Sequence, residues 1–479
     1  DVVVDLVCYR RRGHNEGDDP SLTQPLMYSV IDNIRSVRKL YTESLVGRGD
    51  ITVEEAEASL KSYQELLEGA FSETRDVQGH AAVAQSLARN AAYPGEAATA
   101  ISDAVVDSVV AVHTNLPADF HIHPRLAPQY QRRSSMVAEG TIDWGMGEAL
   151  AFGSLIGQGV TVRLAGQDSK RGTFVQRHAV IVDRENGTQF APLAALAAGG
   201  ARFEVYDSLL SEFAAMGFEY GYSVARPDSL VMWEAQFGDF ANGAQTIIDE
   251  YVSSSEQKWG QTSGVVLLLP HGYEGQGPDH SSARLERFLT LFAQDNMTVA
   301  MPSTPASYFH LLRWQALAGH HKPLVVMTPK SLLRAKIASS VRADFTSGTF
   351  RPVIADTSVP AAGVRRVLLC SAKVAWDAVA ERDKRGRTDI AVVRVERLAP
   401  LPVAQIHEAL AMYPGDAELV WLQEEPANQG AWPFMALNLA EHLDRPLRRV
   451  SREATSAPSV GSHKVHEVEQ AALLEAALG

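Results

Sequence analysis

The 479 residues carry a formal net charge of −13, with 46% hydrophobic and 21% charged residues. This is a soluble globular composition, too long for a single core, so two or three domains are expected, and its acidic balance excludes bulk attraction to nucleic acid or anionic membranes. No apolar run approaches a membrane span, and the two cysteines, Cys8 and Cys370, exclude a disulfide scaffold and fit a reducing cytoplasm.

Residues 1–9 read as a buried strand. A chain rarely opens inside a core strand, and there is no initiator Met, signal peptide or transit peptide. The sequence is therefore expected to be the downstream piece of a longer polypeptide. A loop follows from Arg10 to Pro20, with Arg10, Arg11 and Arg12 before His14 and Asp18-Asp19-Pro20 after it. The basic triplet suits a dicarboxylate or a phosphate. A triplet charge run is more usually a solvated turn. Helical periodicity marks residues 31–45 and 53–71, and residues 94–128 read as a connection between domains.

From about 139 to 341 strands and helices alternate. Strands are expected at 160–165, 203–206, 229–233, 265–269, 298–301 and 324–327, and helices at 242–253, 282–294 and 305–318. The strands are short and apolar throughout, as in a parallel sheet covered on both faces. A smaller α/β unit follows from about Pro352, with strands at 366–370, 390–395 and 419–422 and helices at 374–382, 403–412, 433–443 and 463–477. The fold class is α/β, without internal repeats.

Ligands of open α/β sheets gather at the carboxyl ends of strands. Four polar, glycine-rich segments fall there, at 166–174 (continuing to Arg177 and His178), 207–213, 233–243 and 270–280, and together they suggest one site. Glu212 stands in an otherwise apolar run with Leu209, Leu210, Phe213 and Met216. A desolvated carboxylate there is a candidate acid with a raised pKa. It reads equally as a helix N-terminal Glu facing the helix dipole. His271 and His280 flank a loop with Gly272, Gly275 and Gly277, whose missing side chains let backbone approach a ligand. No third ligand is spaced for zinc. Either histidine also reads as structural, His280 as a neighbour of a helix cap. The aromatic segment 233–243 and residues 428–432 read as subunit or domain contacts, with Asp239 holding a loop through side-chain to backbone bonds.

Several strings carry a family resemblance. Tyr9-Arg-Arg-Arg-Gly-His-Asn-Glu-Gly-Asp-Asp-Pro20, residues 233–243 and 271–287, Thr328-Pro-Lys-Ser-Leu-Leu333 and Gln423-Glu-Glu-Pro-Ala-Asn-Gln-Gly-Ala-Trp432 resemble the decarboxylase component of 2-oxoglutarate dehydrogenase, over essentially the whole chain. Residues 48–51 and 400–402 look closest to its actinobacterial form. The resemblance implies a thiamine-diphosphate-binding fold of three α/β units, the first incomplete. These would be the end of a diphosphate-binding domain (1–95), a connecting segment (96–138), a pyrimidine-binding domain (139–345) and a C-terminal domain (346–479). It implies a homodimer with thiamine diphosphate between subunits. The family's Gly-Asp-Gly…Asn motif for Mg2+ and diphosphate is not found in this sequence, so the metal ligands are expected upstream of it.

By the same resemblance Glu212, Gly217 and Gly221 match the pattern Glu-x4-Gly-x3-Gly, which makes Glu212 the partner of the pyrimidine nitrogen and leaves Glu219 as the alternative. Leu210 would lie under the pyrimidine, and Gln167 would line the pocket where Glu is more usual. His14 and His280 match active-site histidines, with His271 a weaker third. The implied reaction is oxidative decarboxylation of 2-oxoglutarate with succinyl transfer to a lipoyl-bearing acyltransferase. Decarboxylase and 2-hydroxy-3-oxoadipate synthase side activities come with the actinobacterial form, as do activation by acetyl-CoA and an FHA-domain inhibitor. Lys330, Arg334, Arg351, Lys373 and Arg397 would bind the acetyl-CoA phosphates, or are ordinary surface charge. The alternatives are a transketolase or a decarboxylase for another 2-oxo acid, and a non-catalytic assembly or regulatory fragment.

Overall fold

An apolar run becomes a strand only where another strand offers its free N–H and C=O groups. Residues 4–10 are such a run without a neighbour. In the computed structural model, which describes residues 4–76 and 97–479, they form no strand, and Val4, Leu6 and Val7 are exposed. The strand expected at 1–9 is thus corrected over its described part, because no described strand lies beside it; residues 1–3 lie outside the described residues. The chain divides into two compact units, Asp1–Arg89 and Asn90–Gly479.

The smaller unit is helical. The pattern expected at 31–45 is split into helices Pro25–Ile31 and Val37–Arg48, because Ser36 caps the second by accepting a bond from Lys39 N. Gly49, at φ 77°, closes that helix in the left-handed conformation. Thr52 and Glu55 then form a reciprocal capping box at 3.1 and 2.8 Å, which starts the helix Val53–Asp76.

The larger unit holds, in chain order, β1 (Val162–Gly166), β2 (Ile181–Val182), β3 (Gln189–Phe190), β4 (Phe203–Asp207), β5 (Leu230–Glu234), β6 (Val266–Pro270), β7 (Thr298–Ala300), β8 (Leu324–Thr328), β9 (Val353–Ile354), β10 (Arg366–Cys370), β11 (Ile390–Val395), β12 (Arg397–Ala399), β13 (Glu418–Pro426) and β14 (Leu447–Arg452). One seven-stranded sheet runs β12-β7-β8-β6-β5-β1-β4, and a five-stranded sheet runs β14-β13-β10-β11-β9. Both are parallel apart from the edge strands β12 and β9. β5, β6 and β8 are buried at every position, as strands covered on both faces must be.

One continuous core joins the two sheets, with Trp233, Leu267 and Val325 from the first packed with Val367, Val393 and Trp421 from the second. The opposite face of the first sheet lies against the helices Trp144–Gly157 and Pro305–Leu317. β12, from the C-terminal third, extends the first sheet by pairing antiparallel to β7. The helix expected at 242–253 is instead a 3-10 segment Gly238–Ala244, a single α turn Gln245–Ile247 and a π turn Ile248–Val252. The one expected at 282–294 is shortened to Leu285–Leu291 after Arg284 at φ 56°. No helix among the described residues is long and apolar enough to cross a membrane.

Candidate active site

β1 ends at Gly166, where a side chain would collide with the carbonyl of Glu234 on the neighbouring strand, so backbone passes there without a Cβ. The next residue, Gln167, donates from Nε2 to Glu212 Oε1 at 2.9 Å. Glu212 is the first residue of the helix Glu212–Ala225, which Ser211 caps by accepting from Ala214 N. A carboxylate at this position faces the positive end of the helix. The expected buried acid is corrected in one respect. Glu212 is half-buried, and Leu209 and Leu210 beside it are 84% and 86% exposed. The reason is topological: β4, which leads into this turn, is the edge strand of its sheet.

Glu219, two turns further along the same helix, is buried and held by Arg163 through two bonds of 2.7 and 2.9 Å. Arg163 also reaches Glu204 at 3.2 Å and lies over the Tyr222 ring at 4.4 Å. Burial pushes the Glu219 carboxyl up, against the opposing pull of Arg163.

The segment after β5 closes on the same place. Gln236 donates to Asp168 Oδ2 at 2.9 Å, joining the ends of β5 and β1. Phe237 meets Phe174 edge-on at 5.4 Å and the His280 ring at 4.6 Å, and Phe240 meets His280 at 5.8 Å. The aromatics read as a subunit contact therefore frame a histidine of this same unit. Gly243 comes so close to Glu212 that a Cβ there would sit 3.2 Å from Oε2. Asp239 Oδ1 accepts from Ser281 N and Ser282 N at 3.2 and 3.1 Å, tying this segment to the loop after β6. Hydrogen bonds and ring contacts thus join the expected polar segments at the carboxyl ends of β1, β4, β5 and β6.

His271 and His280 differ sharply. His280 is partly exposed, and its carbonyl accepts from Lys330 Nζ at 2.7 Å. His271 is buried, with Nε2 2.9 Å from Glu425 Oε1 and Nδ1 accepting from Ala283 N at 3.1 Å. Burial disfavours its imidazolium, but the Glu425 carboxylate more than offsets this and holds the ring's pKa above the ordinary value. His14 lies in the smaller unit, exposed, in a loop closed by its own backbone N–H on Asp18 Oδ2 at 2.7 Å.

The basic residues are scattered in role. Lys330 is buried, bonded to Gln276 as well as to the His280 carbonyl, and burial pushes its pKa down. Lys373 is paired with Asp377 and Glu424 at 2.5 and 2.6 Å. Arg334 donates to the carbonyls of Phe174 and Val175, and Arg397 to that of Pro400. Arg351 is exposed.

Arg177, named from sequence only as the continuation of a polar segment, is buried and bonded to Glu148 and Glu234 at 2.5 and 2.6 Å, and neither partner was singled out. Nor was Glu425. The available signal was charge inside apolar runs: Glu148 in a hydrophobic helix, and Glu424-Glu425 at the end of a hydrophobic strand. No group of three or more His, Cys, Asp or Glu that could hold a metal ion occurs among the described residues. The residues around Glu212 do fit an aromatic heterocycle. Gln167 steadies one carboxylate oxygen, Gly243 leaves space beside the other, and Leu210 offers an uncovered apolar face.

Comparison with known proteins matches three family models: Dehydrogenase E1 component over residues 1–82, Transketolase, pyrimidine binding domain over 140–336, and 2-oxoglutarate dehydrogenase C-terminal over 339–478. A protein of Mycolicibacterium vanbaalenii named multifunctional 2-oxoglutarate metabolism enzyme is 53% identical over 494 aligned residues, covering 100% of this chain and 40% of its own length. Proteins of the same name from Mycobacterium sp. strains KMS and MCS are 54% identical, covering 100% of this chain and 39% of theirs. The chain spans about two fifths of the length of these curated relatives.

Proposed function

We propose that the chain, which matches the Dehydrogenase E1 component, Transketolase pyrimidine binding domain and 2-oxoglutarate dehydrogenase C-terminal models, supplies the pyrimidine-binding side of a thiamine-diphosphate-dependent decarboxylase of 2-oxoglutarate. The observation that carries this reading is the Glu212 carboxylate at the start of its helix, with Gln167 on one oxygen and Gly243 beside the other. Bound thiamine diphosphate supplies a nucleophilic carbon and an electron sink for loss of carbon dioxide from a 2-oxo acid. Glu212 holds a proton at the pyrimidine ring nitrogen, and the Gln167 amide keeps the carboxylate aimed while that proton is shared. Glu219 is set aside for this role because Arg163 engages both its oxygens. Leu210 supplies the apolar surface beneath the ring. His280 presents its imidazole to the substrate's keto and carboxylate oxygens.

The uncovered Tyr206, Leu209 and Phe213, at the sheet's edge, are assigned to contact with a second copy in a homodimer. The diphosphate and Mg2+ are assigned to residues outside this chain. Succinyl transfer to a lipoyl-bearing acyltransferase, and with it a place in the tricarboxylic acid cycle, draws support from the match to the dehydrogenase component. The side activities draw theirs from the name of the relatives. An acetyl-CoA site would use Arg351 in preference to Lys330 and Lys373, whose ammonium groups are already bonded within the fold.

The test is carbon dioxide release by the holoenzyme from 2-oxoglutarate, pyruvate and a branched-chain 2-oxo acid. We expect kcat/KM to favour 2-oxoglutarate by about 10²-fold or more. His280→Ala should lower kcat/KM for 2-oxoglutarate and leave thiamine diphosphate affinity unchanged. Equal use of the three acids contradicts the substrate assignment, and loss of cofactor from His280→Ala contradicts the role of the histidine.

A further inference from the structure

The loop that carries His280 begins at His271 and ends at Ala283, and both ends are held by the His271 ring. Ala283 N is a donor only, so the Nδ1 it approaches at 3.1 Å must present a lone pair. A neutral imidazole with Nδ1 accepting carries its proton on Nε2, and Glu425 Oε1 at 2.9 Å takes that proton's hydrogen bond. Both ring nitrogens are therefore engaged, and the side chain is only 3% exposed. A proton added at Nδ1 would break the Ala283 bond, and this opposes the imidazolium that the Glu425 carboxylate favours. His271 has no nitrogen left for a substrate.

Other bonds close the same loop. Gly272 N donates to Ser281 O at 2.9 Å, Asp239 accepts from Ser281 N and Ser282 N, and Lys330 Nζ donates to the His280 carbonyl. The outer part of the loop turns through Gly275 and Gly277, at φ +74° and +85°, and Gly275 lies against the His463 ring of the last helix. The His280 ring itself is bounded by the edges of Phe237 and Phe240. What the base of the loop fixes is thus the direction in which His280 points.

We infer that His271 is a positioning residue, locked in its Nε2–H tautomer by Glu425 of the C-terminal sheet, which closes the Gly272–Ser282 loop and thereby aims His280 at the 2-oxo acid. The inference rests on the role given to His280 above. It also gives the C-terminal sheet, through the end of β13, a direct part in the order of the site.

The test is a mutant cycle in the holoenzyme, reading kcat/KM for 2-oxoglutarate, thiamine diphosphate affinity and melting temperature. His271→Gln places an amide N–H near Nε2 and keeps a bond to Glu425, but loses the acceptor for Ala283. We expect it to lower kcat/KM at least 10-fold in the wild-type background and less than 2-fold when His280 is already Ala, with cofactor affinity unchanged. A merely structural role gives the same loss in both backgrounds and overturns the inference, as does a His271→Gln enzyme of normal activity. His271→Asn puts an amide oxygen near Nδ1 and keeps the Ala283 bond, so it should be at least 10-fold more active than His271→Gln; the reverse order also overturns the inference. If His280→Ala alone has no effect, it is the reading of His280 that fails, and the inference falls with it.

Discussion

Glu212 and Glu219 stand two turns apart on one helix and face opposite demands. Glu219 is spent on the fold: both oxygens bond Arg163, itself shared with Glu204 and stacked on Tyr222. Glu219→Gln should therefore cost stability, about 3 kcal/mol, because it leaves Arg163 with one carboxylate where it had two. The holoenzyme carrying it should melt lower but turn over normally per folded molecule; a large drop in kcat with an unchanged melting temperature would move the catalytic assignment to Glu219. Glu212 was legible in the sequence as a carboxylate at a helix start after apolar residues. Its exposure was not, because nothing local says that β4 is an edge strand. The pairs Arg163–Glu219 and His271–Glu425 were not legible either, since 56 and 154 residues separate their members.

At the scale of elements, the parallel strands were the most legible part of the chain. β10 and β11 coincide with the expected spans, β4 and β8 run one residue further, and β5 and β6 are shifted by one; in β5, β6 and β8 continuous burial leaves no polar position to blur an apolar run. β13 extends four residues beyond its expected end, through Gln423, Glu424 and Glu425, which look like loop but are buried and bonded. The helix expected at 242–253 fails because periodicity is silent about the turn that Gly243 needs to approach Glu212. The helix Asp103–Thr114 carries a pH prediction. Its buried His113 donates from Nδ1 to Val109 O, and burial, aided by the Arg133 charge, holds its pKa down to about 3. The unfolded chain takes up a proton below about 6.5, which the fold refuses, so the effect is absent above 6.5. Stability falls as pH drops from there toward 3, by about 1.4 kcal/mol per pH unit for this group at most. The wild-type melting temperature should drop more between pH 7.5 and 5 than that of His113→Gln; equal drops would place the acid sensitivity elsewhere.

At the scale of the molecule, the two sheets of the larger unit share a core, and β12 crosses from one to extend the other. The edge beside Glu212 is left open, with Leu209 and Leu210 nearly fully exposed. If a second copy covers that edge, Leu209→Glu should convert the dimer to monomer in sedimentation at micromolar concentration, while leaving the melting temperature of the monomer unchanged. An unaltered dimer would place the interface on another face. We propose that Glu212 shares a proton with the pyrimidine of bound thiamine diphosphate. The most direct measurement is the rate of deuterium uptake at the thiazolium carbon of the cofactor in the holoenzyme, read by NMR after acid quench, for wild type, Glu212→Gln and Glu219→Gln. Uptake should slow by about 10²-fold or more in Glu212→Gln and stay near the wild-type rate in Glu219→Gln; wild-type uptake in Glu212→Gln would contradict the shared proton.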